Sequence, residues 1–341
     1  MKMLKNILKL TAIWMAATVS FTACEVDTTT VMFEEDHDFS QPGDTVFSML
    51  GILDKVQDVV EKGVLLGELR GDLVKPDPFV GTSSAWVDLT RFENLENATF
   101  NRYRDYYAIV NNCNFYLERA DAEMERRGQK VFLKEYAAVS AYRAWAYLQL
   151  ALLYGEVPFY TQPLLSYSEI EQVMNDPSKR KGLGEICSYF IDDLLPYVDV
   201  PFPNYGNFTY DQSSSVNSSD FFLPIRLLRG DLYLWRGSLD GNKSDFAKAA
   251  QEYRDYLLSE KRFVSPDVKV AYRTVDMDGA QIVDRWSSVF LGNNYNESIS
   301  LVPFAGNSQY GKLGSLRQSF RSFMGSDALQ KLVDESYYCY V

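Results

Sequence analysis

Among the aromatic residues outside any helical stripe, in segments rich in Gly, Asn, Ser or Asp, stand Trp86, Trp286, Tyr295 and Tyr310. A flat ring held in a loop suits the apolar face of a ring ligand such as a sugar, while amides, carboxylates and guanidinium groups meet the hydroxyls. Recognition of that kind needs no catalysis. Trp86, in Gly81-Thr82-Ser83-Ser84-Ala85-Trp86, is the leading candidate, and the competing reading folds its indole back onto the scaffold. Trp286, Tyr295 and Tyr310 read equally as packing residues or partner contacts, and the cluster Tyr205, Phe208, Tyr210 could belong to a ligand site, a partner interface or neither. Arg70 and Asp72 could meet sugar hydroxyls, but their place beside Gly71, just after a helix, favours capping or an internal ion pair.

Catalytic constellations are absent or unspecific. The sequence holds no GxSxG elbow, no P-loop and no dinucleotide glycine fingerprint, so no cofactor is expected. The single histidine, His37, leaves a serine or cysteine nucleophile without a partner in the folded part. The four cysteines (Cys24, Cys113, Cys187 and Cys339) form no CxxC, so a zinc site of the usual kinds cannot be assembled. Asp276-Met277-Asp278-Gly279 has the start of a calcium loop but not its third oxygen ligand or the downstream Glu, and no metal is expected. Pairs of carboxylates for glycoside hydrolysis stay open, because their separation is a three-dimensional quantity.

Charge narrows the classes further. With 34 Lys+Arg against 46 Asp+Glu the net charge is −12, the wrong sign for a nucleic-acid binder or an electrostatic grip on anionic lipid. The 341 residues, 46% hydrophobic and 14% aromatic, suit one large globular domain or a core with an appended subregion.

The N-terminus has the order of an export signal. Lys2, Lys5 and Lys9 precede an apolar run from Leu10 to Ala23, shorter than the roughly 20 residues a membrane-spanning helix needs. Ser20-Phe21-Thr22-Ala23-Cys24 is similar to a bacterial lipobox, in which the new N-terminal cysteine carries the lipid; the alternative is a secretory signal with Cys24 incidental. Residues 1–23 are read as the signal peptide and 24–45 as an acidic tether behind the anchor at Cys24. Loss of three lysines and no acid with the signal moves the net charge from −12 to −15. Without a polybasic patch, several acyl chains, palmitate among them, would have to hold the protein at the membrane.

The elements that must position these residues are helical. Stripes at three- and four-residue steps predict helices over 46–60 and 103–120, the second closed by Gly128, with a long loop over 71–101 between them. From Ala137 to Leu153 only Ser140, Arg143 and Gln149 are polar, which predicts a central buried helix stopped by Gly155 and Pro158, with Arg143 paired inside it. Cys113 reads as a small core residue, and Trp145 and Trp235 as core tryptophans. Further helices are expected over 183–197, 220–236 and 245–259. Gly230, Tyr233 and Gly237, then Phe246, Ala249 and Tyr253, predict a tetratricopeptide-like helix pair with a longer turn than the standard repeat. Beyond Phe263, β-prone runs such as Ile299-Ser300-Leu301-Val302 replace the helical period.

Several segments together resemble the SusD/RagB family of Bacteroidetes surface lipoproteins: Cys24, Gly67-Glu68-Leu69-Arg70-Gly71-Asp72, Tyr107-Ala108-Ile109-Val110-Asn111-Asn112-Cys113-Asn114-Phe115, and Ala141-Tyr142-Arg143-Ala144-Trp145-Ala146-Tyr147-Leu148-Gln149-Leu150 followed by Tyr154-Gly155-Glu156-Val157-Pro158. The resemblance implies a mainly α fold, a SusD-like superhelix of tetratricopeptide-like pairs over 46–341, with long ligand-binding loops and a few short strands. It places part of the ligand site in the loop that holds Trp86. It implies a non-enzymatic protein, lipid-anchored at the outer membrane on its extracellular face, that delivers oligosaccharide to a SusC-like TonB-dependent barrel. Members of the family usually run well past this length, so the chain is expected to be most of a longer one. Three other readings compete: the same fold carrying peptides, a helical glycoside hydrolase, and a repeat scaffold that binds only protein.

Overall fold

The computed structural model describes residues 42–71, 74–77, 84–95, 102–209 and 215–259, with the strand backbone at 274–275, 282–283 and 323–325. Among these residues lie eight α-helices and ten strands of two or three residues, the strands in five antiparallel pairs. The helices are α1 (Pro42–Glu68), α2 (Ser84–Arg91), α3 (Arg104–Arg119), α4 (Leu133–Tyr154), α5 (Tyr167–Asn175), α6 (Leu183–Asp193), α7 (Ile225–Asp240) and α8 (Lys243–Ser259). The expected mainly α architecture with a few short strands is what the chain adopts.

Helix α4 is the axis of the fold. Its residues from Ala137 to Ala144 are all buried, and it packs against α1, α3, α6 and α7. One continuous core results, running from Met49, Ile52 and Val56 of α1 through Tyr142 and Tyr147 to Phe190 and Leu232. Gly155 ends α4 at φ 78°, a conformation that favours glycine, and Pro158 lies in a strand paired with Arg180. Arg143, 7% exposed, meets Asp193 at 3.1 Å and the Asn114 side chain at 3.2 Å, the pairing that its burial demands. Cys113 is fully buried in the same core, and Trp145 packs half-buried against it.

Several boundaries differ from the periodic reading, each for a local reason. Helix α1 begins at Pro42, so residues 42–45, read as the end of the tether, form its first turn; proline suits that position because the first amides have no helical acceptor. Helix α3 ends at Arg119 and does not reach Gly128. Gly128 (φ 73°) and Arg127 (φ 54°) instead turn a hairpin between β2 (Glu125–Arg126) and β3 (Gln129–Lys130), which needs positive φ at both central residues. Helix α7 starts at Ile225, not Asp220, because Pro224 cannot donate to a preceding turn and disfavours helical geometry just before it; residues 218–221 form a separate 3-10 turn. The segment 71–101, expected as one loop, contains β1 (Val74–Pro76) and α2, and β1 pairs with β10 (Phe323–Gly325).

The α7–α8 pair is packed as a repeat pair. The turn is short, with Gly241 left-handed at φ 70° and Asn242 accepting the Ser244 amide, which corrects the expected long turn. A Cβ at Gly230 would lie 2.3 Å from the Tyr253 ring, so only glycine lets the two helices come this close. Arg229 pairs with Glu252 and donates to the Ile191 carbonyl at 3.1 Å, and Arg236 meets Asp245 at 2.6 Å and Ser188 at 3.1 Å. These bonds fasten α6, α7 and α8 together. Trp235, expected in the core, is 41% exposed: α7 packs through Leu228 and Leu232 on one side and Gly230 and Gly237 on the other, and Trp235 falls outside both.

Candidate functional site

A strap of chain from Pro158 to Leu165 crosses the outside of α3 and α4, and buried side chains hold its backbone. The Tyr107 hydroxyl donates to the Pro158 carbonyl at 2.6 Å. Tyr147 serves Tyr160 twice, accepting its amide at 2.9 Å and donating to its carbonyl at 2.7 Å. Asn114 donates to the carbonyl of Gln162 at 3.2 Å while its own oxygen accepts from Arg143 at 3.2 Å. Asn111 closes a two-bond ring with Leu164, donating at 3.0 Å and accepting at 2.8 Å. Buried backbone groups without such partners would cost about 1–3 kcal/mol each. The polar residues embedded in α3 and α4 therefore act as clamps on one irregular segment.

After the strap, α5 starts with a capping box. Ser166 accepts the Glu169 amide at 3.3 Å, and the Glu169 carboxylate accepts the amides of Leu165 (2.7 Å) and Ser166 (3.1 Å). Those bonds hold its pKa below the usual carboxylate value. The cap fixes where α5 stands, and Ile170 and Met174, one turn apart, face back toward α3.

Between α5, the strap and the start of α3 lies a cavity of about 540 Å3, within the size range of small-ligand sites, roughly 300–1,000 Å3. Tyr103, Tyr107 and Tyr160 supply its aromatic wall, Ile170 and Met174 face them, and Arg102 and Arg104 stand among the lining residues. Tyr107 and Tyr160 stack at 5.8 Å with 13° between their planes. Tyr103 meets Tyr107 and Tyr154 edge-on at 5.9 and 6.0 Å, which fixes its ring while 49% of it remains exposed. Tyr167, 76% exposed and three residues before Ile170 on α5, extends the aromatic surface beyond the cavity. A fixed, half-open ring beside an apolar floor is what stacking on a sugar requires.

Of the residues singled out from sequence, Trp86 is described and stands elsewhere. It lies on α2 rather than in a bare loop, half-buried against Leu65, Leu66, Leu69 and Leu89. Leu153 packs on the same cluster and precedes Tyr154, so Trp86 and Tyr103 are linked through two consecutive residues of α4 without sharing the cavity. Arg70 donates to the Leu66 carbonyl at 2.6 Å, a helix-capping role. Tyr205 donates to Glu135 at 3.2 Å and packs on Phe222, a structural position. Cys24, Asp72, Tyr210, Trp286, Tyr295, Tyr310, the Asp276–Gly279 run and the 299–302 run lie outside the described residues, and of Phe208 only the backbone is described.

The sequence reading missed the cavity's aromatic residues because Tyr103, just before α3, and Tyr107, in its first turn, continue the apolar stripe of that helix and look like core. The signal that could have found the site is Ser166-x-x-Glu169, a helix start just after an irregular run. Among the described residues no group of His, Cys, Asp and Glu could hold a metal ion, and no helix is long and apolar enough to cross a membrane. Burial pushes the thiols of Cys113 and Cys187 up to about 12, which leaves neither a nucleophile at neutral pH.

No protein-family description matches the chain, and no curated protein does. Solved structures do. NanU of B. fragilis aligns with a TM-score of 0.52 and 16% identity over 84% of this chain and 50% of its own. A SusD homolog from Bacteroides thetaiotaomicron aligns with a TM-score of 0.50 and 16% identity over 80% of this chain and 55% of its own. The chain thus spans about half the length of these two structures. At such identity the likeness lies in the path of the backbone, and in that path the chain has the fold of the SusD-like proteins.

Proposed function

We propose that the protein is a nutrient-binding surface lipoprotein that captures oligosaccharide and hands it to a TonB-dependent outer-membrane barrel. The observation that carries this reading is the cavity beside Tyr103: a clamped aromatic wall, open to solvent, on a SusD-like scaffold. Binding uses ring stacking and hydrogen bonds without bond cleavage. Trp86, Trp286, Tyr295 and Tyr310 remain proposed ligand contacts. Export by residues 1–23 and lipidation at Cys24 place the protein at the outer membrane on its extracellular face, where a SusC-like barrel is the partner. The lipobox-like run supports that placement, and the net charge of −15 after the signal suits a solvated ectodomain.

Titration calorimetry of the purified full chain against a panel of oligosaccharides and peptides tests the reading. At least one saccharide should bind without release of reducing ends, and Tyr103→Ala should weaken it. Binding confined to peptides would move the cargo class, and saccharide turnover would make the protein a hydrolase. Loss of radiolabelled palmitate in Cys24→Ala tests the anchor, and affinity capture from membranes tests for the barrel.

A further inference from the structure

We infer that the cavity between α3, the strap and α5 selects a carboxylated sugar over a neutral one. The inference rests on the saccharide-binding reading above and names the ligand class of that site. Acidic residues outnumber basic ones across the chain, yet the cavity lining contains two arginines and no acid. Arg102 is exposed, and its guanidinium has no hydrogen bond or ion pair among the described residues. Arg104 has a single distant partner, Asp105 at 3.5 Å, with its side chain 74% exposed. Asp105 is already neutralised by Lys62, which it meets at 3.0 Å. With Asp105 paired to Lys62 and outside the lining, the two arginines that line the cavity carry positive charge that no carboxylate of the lining balances. Glu169, where the strap enters α5, is tied into the α5 capping box. Arg180, which donates to the Glu156 carbonyl at 2.8 Å, adds a further positive charge close to the Tyr107 hydroxyl.

The arrangement separates two kinds of recognition. The tyrosine wall and the apolar floor take a ring face, while the exposed guanidinium forks of Arg102 and Arg104 suit a planar carboxylate bidentately. A neutral sugar would use the wall alone and leave both arginines to water. A carboxylate on the ring adds charge-assisted bonds to two solvent-exposed guanidinium groups, together worth about tenfold in affinity.

The test compares two ligands of equal length and linkage, a galacturonate trisaccharide and the galactose trisaccharide, by titration calorimetry with the full chain. The uronate should bind about tenfold tighter at low ionic strength, with the gap narrowing as salt rises. Arg102→Gln with Arg104→Gln should bring the uronate down to the affinity of the neutral sugar; both side chains are exposed, so the fold should persist, as checked by thermal melting. Tyr103→Ala should weaken both ligands together. Equal affinity for the two sugars, or a preference unchanged in the double variant, overturns the inference while saccharide binding itself stands. Failure of every saccharide to bind overturns the functional reading with it. An acidic peptide bound more tightly than the uronate also overturns the inference, since the rim would then serve another class of ligand.

Discussion

The Tyr147 hydroxyl meets Tyr160 twice, taking its amide proton at 2.9 Å and giving its own proton to the same residue's carbonyl at 2.7 Å. A fully buried side chain of the central helix thereby stands in for the strand partner that an irregular segment lacks. Tyr160 is held in place to stack on Tyr107, and the two rings form the cavity wall. Burial raises the Tyr147 pKa well above that of a free tyrosine, so the hydroxyl keeps its proton and both bonds at any working pH.

Tyr147→Phe keeps the ring and deletes both bonds. Two buried backbone groups lose a partner, and the expected cost is about 2 kcal/mol in urea unfolding, with weaker ligand binding as the wall loosens. Stability within about 0.5 kcal/mol of wild type, the range of an ordinary surface substitution, would show that the bonds are dispensable.

Gly230→Ala tests the α7–α8 crossing. The added methyl would come within 2.3 Å of the Tyr253 ring, and the helices cannot separate without disturbing the Arg229–Glu252 pair. Overpacking of this kind costs about 1–3 kcal/mol, read as a lower melting temperature. Combining it with Tyr253→Ala should cost less than the sum of the two single changes, because the second removes the obstacle.

Asp245 should contribute to the acid limb of stability. Its hydrogen-bonded pairing with Arg236 lowers the carboxyl pKa in the folded state. The contribution is present above the unfolded pKa, about 3.9, and is lost as pH falls through that range toward the folded value. Glu135 acts in the opposite sense: burial raises its folded pKa, so its contribution is present at low pH and lost as pH rises past its ordinary value. Urea midpoints measured from pH 6 down to pH 3 should fall less steeply in Asp245→Asn than in wild type. An unchanged slope would assign the acid limb to other groups.

Cys113 and Cys187 should resist alkylation in the native protein. Both thiols are fully buried, and burial pushes their pKa values up to about 12, so thiolate is scarce at pH 8. Mass spectrometry after iodoacetamide treatment should find both modified only when denaturant is present. Labelling at native rates matching those of an exposed thiol would mean that this core opens readily.

The sequence by itself determined which faces are buried. A three- and four-residue period records how a helix meets its neighbours, so α3, α4, α6 and α8 were legible, as were the burial of Cys113, the pairing of Arg143 and the stop at Gly155. The signals are local, carried by residues one or two turns apart, although the partners that Arg143 finds, Asn114 and Asp193, lie on α3 and α6. What tertiary structure decided is which aromatic residues stay open. Tyr103 and Tyr106 belong to one stripe of the sequence, yet Tyr103 is 49% exposed and Tyr106 only 3%. The difference arises because Tyr106 lies between α1 and α4, facing Gly63 and Trp145, whereas Tyr103 borders the space between the strap and α5. That space gathers residues from positions 102 to 174 through hydrogen bonds spanning about fifty residues, from Tyr107 to Pro158 and from Asn111 to Leu164. Period records burial against nearest neighbours, while a cavity forms where distant segments fail to meet. The same reason moved Trp86 from a loop to the flank of α2, half-buried against Leu65 and Leu66 of α1, Leu69 just beyond it and Leu89 of its own helix.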